Sequence, residues 1–465
     1  MKKLNPVNVL PAGAMLLAAM PAAFAQHNPK RPNVVFILVD DMGFSGIRCY
    51  SSDALPSPNI DALADNGIVC TNFRCTPLSS PTRVSIMTGC YPQRAGLNDI
   101  YSESQTMDGL DPELYRTFGN NLQAAGYRTG LMGKWHMGQD IKYNPLDNGW
   151  DVWHGYTMGN IDYISHINTQ RRVDWWDGKE LKDEPGYVTH LINRYSVEFI
   201  RESVSARKPF FLFVSHDAVH CPMQGPNDPP IRTATKHKYR DDERLSDEEY
   251  HRIYEEMVGA VDEGVGEIVA TLKELKVLDN TLIIFVSDNG GDAQSVRRYP
   301  GHNGYLHGTK RTVFEGGLRV PAIFYCPRLW GHRYSMEPYN SMDFMPTFLE
   351  LCGAKIPDGL DGTSMLRSLR YGDSMPERKF FSSVAGDMCV IDGKWKLVMD
   401  KKGTAALYYL FTDRNEEHDL SAVYPERAAA MKADIEKWWT DTTRGTRLEG
   451  HTSAECDRNT SWRLK

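Results

Sequence analysis

The stretch Asn33–Val39 reads NVVFILV, and the two residues that follow it are Asp40 and Asp41. A continuous apolar run of this length predicts a strand that is buried on both faces, as in a parallel sheet. Two later runs have the same character, Pro209–Ser215 and Thr281–Ser287. Because helical patterns alternate with these strands, we expect an α/β fold.

Polar residues follow each of the three predicted strands directly. Asp40 and Asp41 follow the first strand, the segment 216–220 follows the second, and Asp288 and Asn289 follow the third. In open α/β sheets, sites form beyond the carboxyl ends of the strands, so these residues are expected at one edge. A single acidic pair is more typical of a helix cap or a solvated loop. Two pairs, each after a buried strand, favour a metal site, and calcium prefers such oxygen ligands.

The pattern along the chain indicates two parts. The longest predicted helix spans Asp247–Leu275, where apolar residues recur at helical spacing. After about residue 370 the pattern changes to short β-type runs, separated by turn signals such as Asp392-Gly393, and then to a helix from Pro425 to Trp439. We therefore predict an N-terminal domain over residues 26–370 and a smaller C-terminal subdomain over residues 371–465, with an antiparallel sheet and a terminal helix.

Length, charge and the N-terminal segment limit the class of protein. The 465 residues suffice for one large domain or two, and the net charge of −7 argues against general binding of nucleic acid. Residues 1–25 have the features of a secretory signal peptide, with Lys2 and Lys3 before an apolar stretch and a cleavage site at Ala23-Phe24-Ala25. The interrupted apolar stretch is shorter than the about 20 residues that span a bilayer. We predict an exported protein without a membrane span, in a bacterial periplasm or secreted.

The run Ser79-Ser80-Pro81-Thr82-Arg83 is followed shortly by Met87-Thr88-Gly89. Taken alone, the first run could be an ordinary turn, because Pro and Ser favour turns. It resembles, however, the maturation signature of type I sulfatases, (Cys or Ser)-x-Pro-x-Arg. In that family the first residue is oxidised to formylglycine, which here would be Ser79. Cys75 is rejected as the modified residue, since Ser79 stands where its motif would need Arg.

Other stretches resemble the same family and occur in the family's order. They are Val39–Gly43, Gly133–His136, His220–Pro222, Val286–Gly290, Gly308–Lys310, Glu315–Pro321, Gly393–Leu397 and Leu407–Leu410. One departure is Val219, where the family usually has Pro before the His. The resemblance implies an alkaline-phosphatase-like α/β sandwich with a large, mixed, mostly parallel sheet, in addition to the smaller C-terminal subdomain.

The resemblance also implies a catalytic mechanism, the hydrolysis of sulfate monoesters. The hydrated aldehyde of formylglycine would attack sulfur, His220 would be the general acid, and His136 would assist the second hydroxyl. His216 is an alternative to His220. The implied catalytic residues are Ser79, Arg83, Lys134, His136, His220 and Lys310, and the implied ligands of one Ca²⁺ are Asp40, Asp41, Asp288 and Asn289.

The partners are predicted from the same resemblance. A Ser-type signature is similar to that of bacterial sulfatases matured before export by a radical S-adenosylmethionine enzyme. The substrate is expected to be a sulfated carbohydrate of mucin or glycosaminoglycan type. Aromatic residues over 150–176 suit sugar rings, although packing in the core is the more common use of aromatic residues. The residues predicted to bind substrate are Asp162, His166, Arg297, His302 and Asn303.

Two other functions remain open at this point. A phosphatase or phosphonate hydrolase of the same superfamily would use a similar site, although the Ser79 signature points away from it. A non-catalytic protein that binds sulfated glycans would result if Ser79 were never oxidised, because the modification depends on another enzyme.

Overall fold

A computed structural model describes residues 31–101, 109–233, 245–298 and 302–456 of the chain. The predicted signal peptide, residues 1–25, lies outside the described residues. None of the described helices combines the length and the apolar character that crossing a membrane requires.

Strands and helices alternate over most of the chain. The strands are β1 (Asn33–Val39), β2 (Ile68–Cys70), β3 (Phe73–Arg74), β4 (Arg128–Lys134), β5 (Val152–Tyr156), β6 (Trp176–Asp177), β7 (Glu180–Leu181), β8 (Phe210–Ser215), β9 (Thr281–Ser287), β10 (Ala322–Tyr325), β11 (Arg333–Ser335), β12 (Tyr339–Asn340), β13 (Lys379–Val384), β14 (Asp387–Asp392), β15 (Trp395–Met399) and β16 (Ala405–Tyr409). The α-helices are α1 (Pro58–Asp65), α2 (Ser79–Thr88), α3 (Phe118–Ala124), α4 (Val188–Ser205), α5 (Asp247–Glu274), α6 (Ala293–Arg298), α7 (Glu315–Leu318), α8 (Phe344–Cys352), α9 (Leu366–Tyr371) and α10 (Pro425–Thr443).

Ten strands form one large sheet in the order β11-β2-β10-β9-β1-β8-β4-β5-β6-β7. Its centre is parallel, since β1 pairs with β8 and β9, and β4 pairs with β8 and β5. The sheet is mixed because β10 runs antiparallel to β9 and β2. The predicted large, mixed, mostly parallel sheet is confirmed, and the parallel strands end at one edge.

Side chains of β1 alternate between two hydrophobic layers, as the period of a strand requires. Val35 and Val39 pack into a layer with α1, α4 and α5, whereas Val34 and Leu38 pack into a layer with α2, α3 and α8. Helices therefore cover both faces of the sheet. This double burial explains why the central strands are apolar at every position.

The C-terminal part forms a separate antiparallel sheet in the order β13-β14-β15-β16. α10 covers it, with Met431 and Ile435 packed among Val390, Leu397 and Leu407. The predicted antiparallel sheet and terminal helix are confirmed. The domain boundary near residue 370 falls within α9 and stays a prediction.

Candidate active site

Ser79 is the first residue of α2, and its side chain is buried against the carboxyl ends of the parallel strands. Its Oγ accepts a hydrogen bond from Nε of Arg83 at 2.9 Å and donates one to Oδ2 of Asp40 at 3.3 Å. Arg83 lies one helical turn after Ser79, so both side chains lie on one face of α2. The Ser79 signature therefore starts a buried helix, which explains its contacts better than a surface turn does.

Asp40 is the first residue after β1 and is fully buried. Its Oδ2 accepts hydrogen bonds from Nη2 of Arg83 at 3.1 Å and from Nζ of Lys134 at 2.5 Å. Lys134 ends β4, two strands away from β1. Burial would raise the pKa of Asp40, but the nearby cations, Lys134 foremost, hold it well below its usual range. Asp40 is therefore ionised and joins the start of α2 to the edge of the sheet.

Asp41, Asp288 and Asn289 form a second acidic group beside Asp40. The backbone N–H of Asp41 donates to Oδ1 of Asp288 at 3.2 Å, and Nδ2 of Asn289 donates to Oδ1 of Asp41 at 2.7 Å. Burial, reinforced by neighbouring carboxylates, raises the pKa of Asp41 to about 7 and that of Asp288 to about 6. A cation bound among these carboxylates would favour their ionised forms.

Three buried oxygens of this region have no hydrogen-bond partner within the described ranges: Oδ1 of Asp40, Oδ2 of Asp288 and Oδ1 of Asn289. Buried polar atoms are rarely left unpaired, so these atoms suit a ligand. Donor atoms of Asp40, Asp41 and His220 also lie within 4.8 Å of one another. We favour Asn289 over His220 as a ligand because Ca²⁺ prefers oxygen. The side chains present therefore fit one hard divalent cation.

Lys310 and His220 approach the same carboxylate from other loops. Nζ of Lys310 lies 2.9 Å from Oδ2 of Asp41. Burial would lower the pKa of Lys310, but Asp41 and Asp40 raise it. Nδ1 of His220 donates to the carbonyl of Cys221 at 2.7 Å, and its Nε2 lies 3.7 Å from Oδ2 of Asp41. Burial and the charge of Lys310 lower the pKa of His220 well below its usual value, so this imidazole is neutral here.

His136 lies two residues after Lys134 and is buried, with a left-handed backbone at φ 54°. Neither of its ring nitrogens has a hydrogen-bond partner among the residues that the structure describes. Oγ of Ser80 donates to the carbonyl of His136 at 3.0 Å, so this histidine adjoins the start of α2. Burial and the charges of Lys134 and Arg83 lower its pKa well below the usual value. His136 is therefore a neutral imidazole beside the start of α2.

The end of β8 and the loop after it contribute two groups that the sequence motifs did not name, Ser215 and Asp217. Nζ of Lys134 lies 3.9 Å from Oδ1 of Asp217, a carboxyl whose pKa burial raises to about 7. Ser215 accepts a hydrogen bond from Nη1 of Arg83 at 2.5 Å and donates to the carbonyl of Lys134 at 2.7 Å. His216 is buried, and burial lowers its pKa to about 3. The rule that polar residues at strand ends build sites already pointed to this segment, so Asp217 carried a signal.

Three of the five residues predicted to bind substrate make their hydrogen bonds outside the network around Ser79. The buried carboxylate of Asp162 accepts hydrogen bonds from four backbone N–H groups, those of Ile164, Ser165, Ile231 and Arg232. Nε2 of His166, also buried, lies 2.9 Å from the carbonyl oxygen of Gly186. Arg297 is exposed on α6, where Nη2 donates to Oε1 of Gln294. Their binding of substrate stays a prediction.

The other two, His302 and Asn303, lie beside the acidic groups. Nε2 of His302 accepts a hydrogen bond from the backbone N–H of Gly43 at 3.0 Å. Oδ1 of Asn303 accepts from the N–H of Gly291 at 3.0 Å, and its Nδ2 donates to the carbonyl of Gly316 at 2.9 Å. These bonds hold the loops that follow β1 and β9. Their direct contact with substrate also stays a prediction.

Comparisons with known proteins identify the family of this chain. Residues 32–354 match the family model described as Sulfatase. The N-acetylgalactosamine-6-sulfatase of Canis lupus familiaris is 30% identical over 416 residues, which cover 84% of this chain and 76% of the relative. The steryl-sulfatase of Homo sapiens is 26% identical over 440 residues, which cover 76% of this chain and 72% of the relative.

A solved structure covers nearly the whole chain. Ps i-CgsB, in complex with k-i-k-neocarrahexaose, is 28% identical, with a TM-score of 0.79 and coverage of 94% of this chain and 97% of that chain. With this neighbour, the expected alkaline-phosphatase-like fold is confirmed. Both the family match and the 30% identical relative extend over most of the chain. The chain therefore belongs to the sulfatase family and is a sulfuric ester hydrolase.

Proposed function

We propose that this sulfatase removes sulfate from sulfated glycans of mucin or glycosaminoglycan type, with a formylglycine made from Ser79 and one bound Ca²⁺. The observation that carries the proposal is the position of Oγ of Ser79. It lies within 3.3 Å of both Nε of Arg83 and Oδ2 of Asp40, beside buried oxygens that lack partners among the described residues. A nucleophile at this point would lie between fixed cations and the oxygens that suit a metal.

The names of two relatives favour a saccharide as the substrate. N-acetylgalactosamine-6-sulfatase is named for an amino sugar, and Ps i-CgsB was crystallised with an oligosaccharide. Steryl-sulfatase is named for a different kind of alcohol, so membership of the family alone does not name the substrate. The saccharide relatives have the higher identity to this chain, 30% and 28% against 26%.

Conversion of Ser79 removes two hydrogen atoms from its CH2OH group and leaves an aldehyde. The two electrons and two protons need an acceptor, for which we propose a radical S-adenosylmethionine enzyme. Ser79 is only 2% exposed in the folded chain, which favours conversion before the chain folds. Residues 1–25 would then direct export to a bacterial periplasm, or secretion.

One hydroxyl of the hydrated aldehyde would attack sulfur, and His136 would help to remove the proton of the second hydroxyl, so that the aldehyde re-forms and sulfate leaves. Lys134 is a buried cation beside Asp40, and Lys310 is a partly buried cation beside Asp41. Fixed positive charges in such a water-poor site stabilise negative charge that develops on the sulfate. Asp40, Asp41, Asp288 and Asn289 would hold the Ca²⁺, whose charge would favour the ionised nucleophile.

His220 is suited to protonate the leaving oxygen. A sugar alkoxide is a poor leaving group, so a general acid should accelerate its departure. Burial and the charge of Lys310 lower the pKa of His220 and keep it neutral. The negative charge of an arriving sulfate ester acts in the opposite direction and raises the pKa of His220, so substrate itself would favour the acid form.

Two measurements test the proposal. The peptide that carries residue 79 should be lighter by two hydrogens, about 2 mass units, if formylglycine is present. Protein with Ser79→Cys, matured in a host that has a Cys-type maturing enzyme, should release sulfate from at least one regioisomer in a panel of sulfated mono- and disaccharides. The matched control, Ser79→Ala, should release none.

The other outcomes separate the alternatives. Faster release of phosphate from the corresponding phosphorylated sugars would favour a phosphatase or phosphonate hydrolase. An unchanged mass of the peptide that carries Ser79, together with binding of sulfated sugars but no release, would favour a non-catalytic glycan-binding protein.

A further inference from the structure

A second cluster of buried charges surrounds Glu315. Oε2 of Glu315 accepts hydrogen bonds from Nη2 of Arg74 and Nε of Arg319, both at 2.7 Å. Nζ of Lys396 lies 3.2 Å from Oε1 of Glu315 and 2.7 Å from Oε1 of Glu416. We call these five residues the Glu315 cluster. None of their side chains is more than 8% exposed.

The Glu315 cluster joins the C-terminal sheet to β3 and α7 of the N-terminal part. Arg74 ends β3, and Glu315 begins α7. Lys396, by contrast, is on β15 of the C-terminal sheet, and Glu416 follows β16. Oε2 of Glu416 accepts a hydrogen bond from the backbone N–H of Glu315 at 2.7 Å. Lys396 therefore holds Glu315 twice, directly at its carboxylate and indirectly through the carboxylate of Glu416.

The carbonyl groups of the two glycines after Glu315 accept hydrogen bonds from loops of the candidate active site. The carbonyl of Gly317 accepts a hydrogen bond at 3.0 Å from the backbone N–H of Gly290, which directly follows the Asp288-Asn289 pair. The carbonyl of Gly316 accepts one from Nδ2 of Asn303 at 2.9 Å. A displacement of Glu315 would therefore be transmitted to both loops through the backbone of Gly316 and Gly317.

The loop of Lys310 is linked to the same backbone. Oδ1 of Asn303 accepts from the N–H of Gly291, and the carbonyl of Gly291 accepts from the N–H of Lys310 at 2.9 Å. The backbones also approach very closely, since a Cβ added to Gly290 would lie 1.7 Å from the carbonyl oxygen of Gly316. Such close packing leaves little room for α7 to move independently of these loops.

We propose that Lys396 is a positioning residue of the active site: through Glu315 it fixes Lys310 and the Asp288-Asn289 pair. The proposal rests on the proposed function, which gives these groups sulfate and Ca²⁺ to bind. Buried ion pairs can often be replaced by apolar side chains without loss of stability. A positioning role accounts for charges at this junction that stability alone does not require.

The test compares Lys396→Met and Glu416→Gln with a matched control, Arg378→Met. Arg378 directly precedes the C-terminal sheet and forms a partly buried ion pair with Asp343, just before α8, with Nη1 2.5 Å from Oδ1. Two quantities are measured on each protein: kcat and KM for sulfate release, and the Kd for calcium alone by calorimetry on metal-free protein. The melting temperature of each variant is recorded beside them.

We expect Lys396→Met to lower kcat and to raise the calcium Kd, each by about 10- to 100-fold, as changes to the partners of metal ligands typically do. Glu416→Gln should act in the same direction, and Lys396→Arg, which keeps the cation, should recover part of the loss. Arg378→Met should lower the melting temperature but leave kcat and the calcium Kd unchanged.

The proposal is overturned if folded Lys396→Met and Glu416→Gln keep the wild-type kcat and calcium Kd, or if Arg378→Met loses as much of both. Should Lys396→Met fail to fold, Glu416→Gln and Lys396→Arg decide the question in the same way. Failure of the proposed function looks different, because the wild-type protein itself would then neither release sulfate nor bind calcium.

Discussion

Two buried groups of acids and bases in this protein differ in how well their polar atoms are paired. In the Glu315 cluster, both oxygens of Glu315 accept hydrogen bonds from Arg74, and Oε1 of Glu416, although it accepts no hydrogen bond of normal geometry, lies 2.7 Å from Nζ of Lys396. At the candidate active site, Oδ1 of Asp40 and Oδ2 of Asp288 have no hydrogen-bond partner in the part of the chain that the structure describes. Since folded proteins pair nearly all buried polar atoms, unpaired atoms mark the place where a ligand belongs.

The pKa values repeat this contrast. Burial would raise the pKa of Glu315, but Arg74, Arg319 and Lys396 hold it well below the usual range. Burial raises the pKa of Asp41 to about 7 and that of Asp288 to about 6, and Lys310 does not compensate for it. The cations around Glu315 compensate its charge, although burial and the charge of Glu315 raise the pKa of Glu416. Asp41 and Asp288 lack such compensation, so they suit a further cation. Changes in the Glu315 cluster should act on stability and, through the position of the active-site loops, on turnover and calcium binding, whereas changes at the active-site acids should act on turnover and binding directly.

The largest expected effect belongs to His220. His220→Ala should lower kcat for sulfate release by about 10²- to 10⁴-fold, the usual contribution of a general acid or base. The melting temperature should change little, because only one ring nitrogen of His220 makes a hydrogen bond, to a neighbouring carbonyl. Initial rates on the best sulfated sugar and a thermal melt measure both quantities.

His216→Ala is the matched comparison, since both histidines lie in the loop after β8. This variant should lose stability because His216 is buried. If folded His216→Ala loses turnover while His220→Ala keeps it, the acid is His216, and the interpretation of this loop is wrong.

The central strands of the sheet were predictable because each is a continuous run of apolar residues, which indicates burial on both faces. Asn33–Val39 and Thr281–Ser287 have the predicted bounds, and the strand predicted to start at Pro209 starts at Phe210. Short strands such as β6 and β11 left no comparable signal. Two or three residues carry too little periodicity, and their pairing depends on neighbours far away in the sequence.

Site residues were predictable where a motif or a strand end marked them. Ser79, Arg83, Asp40 and Lys134 meet in one hydrogen-bonded network, as the motifs implied. The pairing of Glu315 with Lys396, 81 residues later, could not be read from one sequence. The sequence pattern also could not show that the carboxylate of Asp162 accepts hydrogen bonds from backbone N–H groups about 70 residues later in the chain.

Glu315→Gln tests the contribution of the Glu315 cluster to stability. Removing this charge leaves Arg74, Arg319 and Lys396 buried with only Glu416 as counter-charge, so we expect unfolding free energy to fall by about 3–5 kcal/mol. Denaturant titration measures it, with the exposed Glu377→Gln as a control that should stay within about 0.5 kcal/mol of wild type. Equal stability of Glu315→Gln and wild type would mean that this network contributes nothing to the fold.

Addition of calcium tests the acidic residues of the candidate active site. At a free concentration of 100 times its Kd, Ca²⁺ should stabilise the metal-free protein by about 2.7 kcal/mol, because it binds only the folded state. Asp288→Asn should lose most of this gain. Asp174→Asn alters a buried carboxylate that bonds the backbone and side chain of Thr157 instead, and it should keep the gain. A calcium response that is the same in Asp288→Asn and wild type would place the ion elsewhere.

The smallest expected effect concerns Asp162. Both of its carboxylate oxygens accept hydrogen bonds, as those of Glu315 do. Asp162→Asn replaces one acceptor oxygen by an NH2 group that faces backbone N–H donors, so stability should fall by about 1–3 kcal/mol. Its kcat and KM for sulfated sugars should stay at wild-type values, since the contacts of Asp162 are with the interior. Arg297→Ala, an exposed position, should change stability by less than about 0.5 kcal/mol. A rise in KM for either variant without loss of stability would indicate that the residue contacts substrate. For Asp162, it would also mean that a fully hydrogen-bonded carboxylate is no sign of a purely structural role in this protein.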